Sequence, residues 1–167
     1  MSNGNTLILG IGNNLLSDEG VGIHAVSILA GEYRGRSDVT CLDGGTLSFT
    51  LAGPIADHGS LIVIDAARFG GAPGAVRRFE GQDMDLYLRG VRKSAHEVGL
   101  VDLLDLARLS ETLPPRRALV GVEPEILGWG DSPGEAVRLA LPRVVEEVQG
   151  LLDRWSREGG TTNRRAG

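Results

Sequence analysis

The chain has little of what marks several protein classes. Among 167 residues there is one cysteine, so no internal disulfide can form, and we expect a reducing compartment. No apolar run approaches the roughly 20 residues that span a bilayer, and the polar residues 1–5 predict no signal peptide. The net charge of −5 argues against nucleic acid or an anionic membrane as a partner. We therefore expect a cytoplasmic protein that binds neither.

Aromatic residues are scarce at 4 %, whereas the chain has 25 glycines, which predicts many tight turns. Its length corresponds to about one domain of roughly 150 residues. We expect residues 1–157 to form a single domain. Residues 158–167 contain no core-forming side chains and are predicted to be a disordered tail.

Apolar runs alternate with helical patterns along the chain, which predicts an α/β fold. Three of the runs are almost entirely apolar, as expected for strands covered on both faces. We predict a three-layer α/β/α sandwich around a mostly parallel sheet of about five strands. The predicted strands are 6–10, 39–43, 61–65, 75–79 and 118–122, and the predicted helices are 20–33, 47–56, 95–109 and 133–155, the last with a kink or break at Pro142.

The first strand runs into a glycine-rich turn and then a helix. Gly10 and Gly12 fit the first two positions of a dinucleotide-binding G-x-G-x-x-G motif, but Leu15 occupies the third. Asp18 and Glu19 follow at the helix start, where they would repel a phosphate. The alternative is structural, since acids in a first helical turn gain about 0.3–1 kcal/mol from the helix dipole.

Further candidate residues follow other predicted strands or open a helix. Asp43 and Asp65 end the second and third strands, where ligands of open α/β sheets bind. His96 lies in a predicted capping box that opens a helix. If the sheet brings Glu19, Asp65 and His96 together, they form an O, O, N set suited to nickel, zinc or manganese. Turn acids and a surface histidine are the structural alternatives.

Common nucleophile motifs are missing. The sequence has neither a G-x-S-x-G elbow nor an H-E-x-x-H helix. Cys41 falls within the alternation of the second strand and is predicted to pack in the core. Catalysis would then depend on carboxylates, a histidine and a metal.

The chain resembles the hydrogenase maturation endopeptidases, which process the large subunits of [NiFe] hydrogenases. Blocks that match this family occur in the same order along nearly the whole chain. They are L-G-I-G-N at 9–13, L-S-D-E-G-V-G at 16–22, L-D-G-G-T at 42–46, I-V-I-D-A at 62–66, S-A-H-E-V-G-L at 94–100 and V-G-V-E-P-E at 120–125.

The resemblance implies an endopeptidase that removes the C-terminal extension of the large-subunit precursor after nickel has been loaded. The metal-contacting residues of the family fall on Glu19, Asp65 and His96, and its D-G-G segment, associated with recognition or cleavage, on Asp43. The nickel would come with the precursor, no organic cofactor is expected, and the free protein is expected to be a monomer. Two alternatives remain: a nucleotide-binding α/β module, and a non-catalytic sensor of the loaded subunit.

Overall fold

The protein is built on one five-stranded sheet. The computed structural model describes residues 4–46, 49–90, 95–126 and 128–162, without the side chains of 95–98 and 161–162. The strand order is β2-β1-β3-β5-β4, and all neighbours are parallel except β4 and β5. The strands are β1 (Thr6–Ile11), β2 (Val39–Gly45), β3 (Ser60–Ala66), β4 (Val76–Glu80) and β5 (Arg116–Val122).

Helices cover both faces of the sheet, which confirms the predicted three-layer α/β/α sandwich. α1 and α5 pack on one face, where the core includes Val26 and Val148. α2, α3 and α4 pack on the other face, where it includes Met84 and Leu104. The helices are α1 (Val21–Glu32), α2 (Ala52–Ala56), α3 (Gln82–Gly90), α4 (Ala95–Leu109) and α5 (Glu135–Thr162), with short 3₁₀ turns at Ser17–Gly20 and Phe49–Leu51.

Several predicted boundaries are corrected by the structure. α3 was not predicted, and the helix expected over 47–56 is a 3₁₀ turn followed by the five-residue α2, with residues 47–48 outside the described part. α5 begins at Glu135 and continues through exposed Pro142 without a break. Pro142 and Arg138, whose carbonyl loses its N–H donor, are both exposed, so water can hydrogen-bond to this carbonyl in place of the missing donor.

The end of α5 also differs from the expected tail. Residues 158–162 are helical, while 163–167 lie outside the described residues. Extending a formed helix costs much less than nucleating one, and Glu158 lies 3.9 Å from the Arg116 guanidinium at the start of β5. Among the described residues, no helix has both the length and the apolar character needed to cross a membrane.

The carboxyl ends of β1, β2, β3 and β5 meet at one side of the sheet, here called the carboxyl edge. From β1 the chain moves outward to β2 and then returns to β3 on the other side of β1. The switch point therefore lies between β1 and β3, where open α/β sheets bind their ligands. Because α4 packs on the sheet and leads into parallel β5, the first turn of α4 also lies at this edge.

Candidate active site

The turn that bears Glu19 folds back on the end of β1. Gly12 has φ +140°, and a Cβ at this position would lie 1.8 Å from the carbonyl oxygen of Glu19. The backbone N–H of Asn13 donates to the same carbonyl at 3.2 Å. The half-buried Glu19 side chain is thus presented from a tight turn at the carboxyl edge.

The start of α1 is pressed against the ends of β1 and β3. A Cβ on Gly22 would lie 2.2 Å from the carbonyl oxygen of Ile64 and 2.3 Å from that of Ile11. A Cβ on Gly10 would lie 2.3 Å from the Gly22 carbonyl oxygen. These glycines are therefore required for strand–helix packing, and the nucleotide-binding alternative gains no support from this turn.

Asp65 is on β3 directly after Ile64, and it is only 4 % exposed. The 3₁₀ turn containing Glu19 contacts β3. The structure thus brings the Glu19 turn to the strand that carries Asp65, at the switch point. A buried carboxylate interacts more strongly with a cation than a surface carboxylate does, because the effective dielectric constant is lower.

His96 belongs to the first turn of α4, at the same edge. Its side chain lies outside the described part of the structure, as does Ser94 of the predicted capping box. Among the side chains that are described, no group of three or more His, Cys, Asp or Glu residues could hold a metal ion. The O, O, N set of Glu19, Asp65 and His96 therefore stays a prediction, supported by the placement of its three segments.

Asp43 is exposed near the end of edge strand β2. Its carboxylate accepts a 2.8 Å hydrogen bond from the N–H of Gly45, which has φ +52°. The carbonyl of Gly45 in turn accepts from the N–H of Gly12 at 2.9 Å. Asp43 thus shapes a turn that is bonded directly to the turn bearing Glu19.

Asp18 has a role that its sequence position did not indicate. Its side chain is fully buried, and its two oxygens accept backbone N–H bonds from Glu125, Ile126 and Gly134 at 2.7, 2.6 and 2.7 Å. The carboxylate thereby ties the Glu19 turn to the segment between β5 and α5. Its partners are more than a hundred residues away, so no local sequence signal could have revealed them.

Glu123 is a second buried carboxylate that, like Asp18, accepts backbone N–H bonds from a distant segment. It is 7 % exposed, and its Oε2 accepts N–H bonds from Phe69 at 2.8 Å and Gly71 at 3.3 Å. These donors lie in the loop that leaves β3 just after Asp65. Two buried carboxylates therefore hold the segments that follow β1 and β3.

Cys41 fits the predicted packing role. It is half-buried against the core under α1 and α5, and burial raises the pKa of its thiol. A raised pKa lowers the thiolate fraction near neutral pH, which is the opposite of what a nucleophilic cysteine requires.

The fold and the site together define a class: an α/β protein with a buried aspartate on one strand and an acidic turn in contact with that strand, at the switch point of a mostly parallel sheet. Comparison with known proteins specifies it further. A family model described as hydrogenase maturation protease matches residues 23–150, a range that includes Asp43, Asp65 and His96 and begins after Glu19.

Individual relatives agree with this match. The hydrogenase expression/formation protein HoxM of Azotobacter vinelandii is 39 % identical over 152 residues, covering 90 % of this chain and 73 % of HoxM. The hydrogenase 2 maturation protease of Escherichia coli is 36 % identical over 147 residues, covering 87 % and 89 %. The chain belongs to the hydrogenase maturation protease family, and this makes it a hydrolase.

Solved structures show the same fold. The hydrogenase maturating endopeptidase HybD of E. coli superimposes with a TM-score of 0.84 at 32 % identity, covering 90 % of this chain and 93 % of HybD. The [NiFe] hydrogenase maturation protease HybD of Thermococcus kodakarensis gives a TM-score of 0.76 at 30 % identity, covering 89 % and 99 %.

Proposed function

We propose that the protein removes the C-terminal extension of a [NiFe] hydrogenase large-subunit precursor once nickel has been loaded into it. The observation that carries the proposal is the contact between the Glu19 turn and β3, the strand on which Asp65 is buried. Two carboxylates from segments far apart in sequence thus belong to one edge of the sheet. Family membership supplies the substrate class.

The nickel belongs to the substrate in this proposal. Glu19, Asp65 and His96 contribute two carboxylates and an imidazole, a donor set that suits a borderline divalent cation. Nickel near the scissile bond would polarise the carbonyl or supply a hydroxide. The low exposure of Asp65 strengthens its attraction to that cation, so the loaded precursor is favoured over the empty one.

Asp43 is assigned to recognition or cleavage of the extension. It is exposed on edge strand β2, and its turn is bonded through Gly45 to the turn that bears Glu19. A polypeptide bound along this edge of the sheet would therefore contact Asp43 and Glu19 together.

The test is mass spectrometry of nickel-loaded precursor incubated with this protein. We expect loss of a C-terminal peptide with the wild type and with Glu111→Gln, an exposed carboxylate variant in the turn after α4. Glu19→Gln, Asp65→Asn and His96→Ala should each reduce the processing rate at least about tenfold, since losses of about 10- to 100-fold are typical even for groups that only support a metal ligand.

Three results would contradict the proposal in different ways. Wild-type processing rates in the three variants would show that the site is assigned wrongly. Efficient cutting of nickel-free precursor would exclude a role for nickel. A stable complex of uncut precursor would instead indicate a non-catalytic sensor.

A further inference from the structure

Several exposed apolar side chains lie in segments at the carboxyl edge. Among the described residues, nine large apolar side chains are exposed, and four of these lie in segments that leave this edge. Soluble proteins rarely leave such groups together unless the surface binds a partner. The four are Leu15 at 55 %, Phe49 at 73 %, Ile126 at 46 % and Trp129 at 83 % exposure.

Three of them, Leu15, Ile126 and Trp129, belong to two paired segments and are here called the apolar platform. Leu16 forms a parallel bridge with Gly130, and the N–H of Gly130 donates to the Leu15 carbonyl at 2.9 Å. This pairing places the backbone of Leu15 next to that of Trp129. Ile126 lies three residues before Trp129, and its carbonyl accepts the N–H of Asp18, in the turn that follows Leu15, at 3.1 Å.

Hydrogen bonds with the buried residues Ser17 and Asp18 fix the backbone of the apolar platform. The buried Asp18 carboxylate accepts the N–H groups of Glu125, Ile126 and Gly134. The Ser17 hydroxyl donates to the Gly128 carbonyl at 2.7 Å. A surface that is already ordered loses little conformational entropy when a partner binds, and exposed tryptophan is typical of residues that dominate interface energies.

The segments that form the apolar platform, and the described segments next to it, are acidic. The segments 12–20, 43–46 and 123–135 contain no Lys or Arg, whereas Asp43, Glu125, Asp131 and Glu135 are exposed. Arg68, in the loop after β3, lies toward α3, because its carbonyl accepts the Tyr87 hydroxyl. A partner that covers the platform is therefore complementary if it combines apolar with basic side chains.

We propose that the apolar platform is the surface on which the large-subunit precursor docks, through a segment with apolar and basic side chains. This inference rests on the proposed function. Glu19 directly follows Asp18, which is hydrogen-bonded to Ile126, so the platform borders the candidate site. Docking on the platform involves no metal contact, and it is therefore separate from the detection of nickel.

The test measures binding of nickel-free precursor by titration calorimetry. We expect Trp129→Ala to raise the Kd at least about tenfold, as for an interface tryptophan. Leu109→Ala is the matched control, since Leu109 is 85 % exposed at the end of α4, away from the carboxyl edge. It should change the Kd less than about twofold, because it lies outside the interface.

The exposed acidic residues next to the apolar platform allow a second measurement. The double variant Glu125→Gln/Asp131→Asn should weaken binding and reduce its dependence on NaCl concentration, because the partner's cations lose their counterparts. The inference is overturned if Trp129→Ala binds like Leu109→Ala, or if the wild type does not bind nickel-free precursor. Failure of the proposed function is a different result, namely normal binding without removal of the extension from nickel-loaded precursor.

Discussion

Asp18 and Glu19 are adjacent carboxylates with opposite surroundings. Asp18 is fully buried and saturated by three backbone N–H groups, whereas the Glu19 side chain is half-buried at the carboxyl edge. One residue therefore stabilises the turn, and its neighbour is left available for a ligand. The geometry of the candidate site therefore depends on Asp18, although this residue is buried and not available to a ligand.

Asp18→Asn is expected to impair both stability and processing. The amide replaces an acceptor oxygen by a donor, so at least one buried N–H loses its partner, at a cost of about 1–3 kcal/mol in the free energy of unfolding. The Glu19 turn also loses its tie to the segment before α5. Processing of nickel-loaded precursor, normalised to folded protein, should fall at least about tenfold for a displaced catalytic group.

Asp85→Asn is the control for this prediction. Asp85 on α3 accepts hydrogen bonds from Arg117 at 3.0 and 2.6 Å, and both side chains are mostly buried. This ion pair lies near the amino end of β5, away from the site, so the variant should lose comparable stability but keep its processing rate. Equal normalised rates for the two variants would remove the positioning role of Asp18.

At the scale of elements, α1 is fixed by a backbone contact that tolerates no side chain. Gly22→Ala should reduce the free energy of unfolding by about 2–3 kcal/mol or more, because the new Cβ would overlap the carbonyl oxygens of Ile64 and Ile11. Gly31→Ala on the same helix meets nothing within 4 Å and should stabilise by about 0.5–1 kcal/mol. Urea unfolding of both variants measures the two changes in the free energy of unfolding. The prediction is contradicted if both changes have the same sign.

The five strands and the helices α1, α4 and α5 could be predicted from sequence, whereas α3 was missed and α2 is much shorter than expected. The apolar runs of β1, β3 and β5 and the pattern of α4 identify themselves because burial on a sheet imposes a clear period. α3 and α2 are short, and α3 depends on contacts such as the Asp85–Arg117 pair. The contact of α5 near its end, between Glu158 and Arg116, joins residues distant in sequence and therefore has no local signal.

At the scale of the whole molecule, the site depends on topology. Asp43, Asp65 and Glu19 could be placed at strand ends and turns from the sequence, because each follows an apolar run. Whether these residues lie near one another depends on the strand order β2-β1-β3-β5-β4, which no local sequence pattern encodes. The hydrogen bonds of the buried Asp18 and Glu123 carboxylates could not be predicted for the same reason, since their partners are distant in sequence.

The separation of docking from nickel detection leads to a prediction for the complete reaction. Nickel-free precursor should be a competitive inhibitor of the processing of nickel-loaded precursor, because both cover the apolar platform and only the loaded form is cut. Its inhibition constant should equal the Kd measured by calorimetry. Steady-state rates at several concentrations of each precursor provide the measurement.

Trp129→Ala distinguishes this mechanism from inhibition at the acidic site. In this variant, the inhibition constant of nickel-free precursor and the KM for nickel-loaded precursor should rise together, while kcat changes less than about twofold because the transition state keeps its contacts with the acids. If nickel-free precursor inhibits the variant as strongly as the wild type, its binding does not depend on the platform. Docking of the precursor on the apolar platform would then be contradicted.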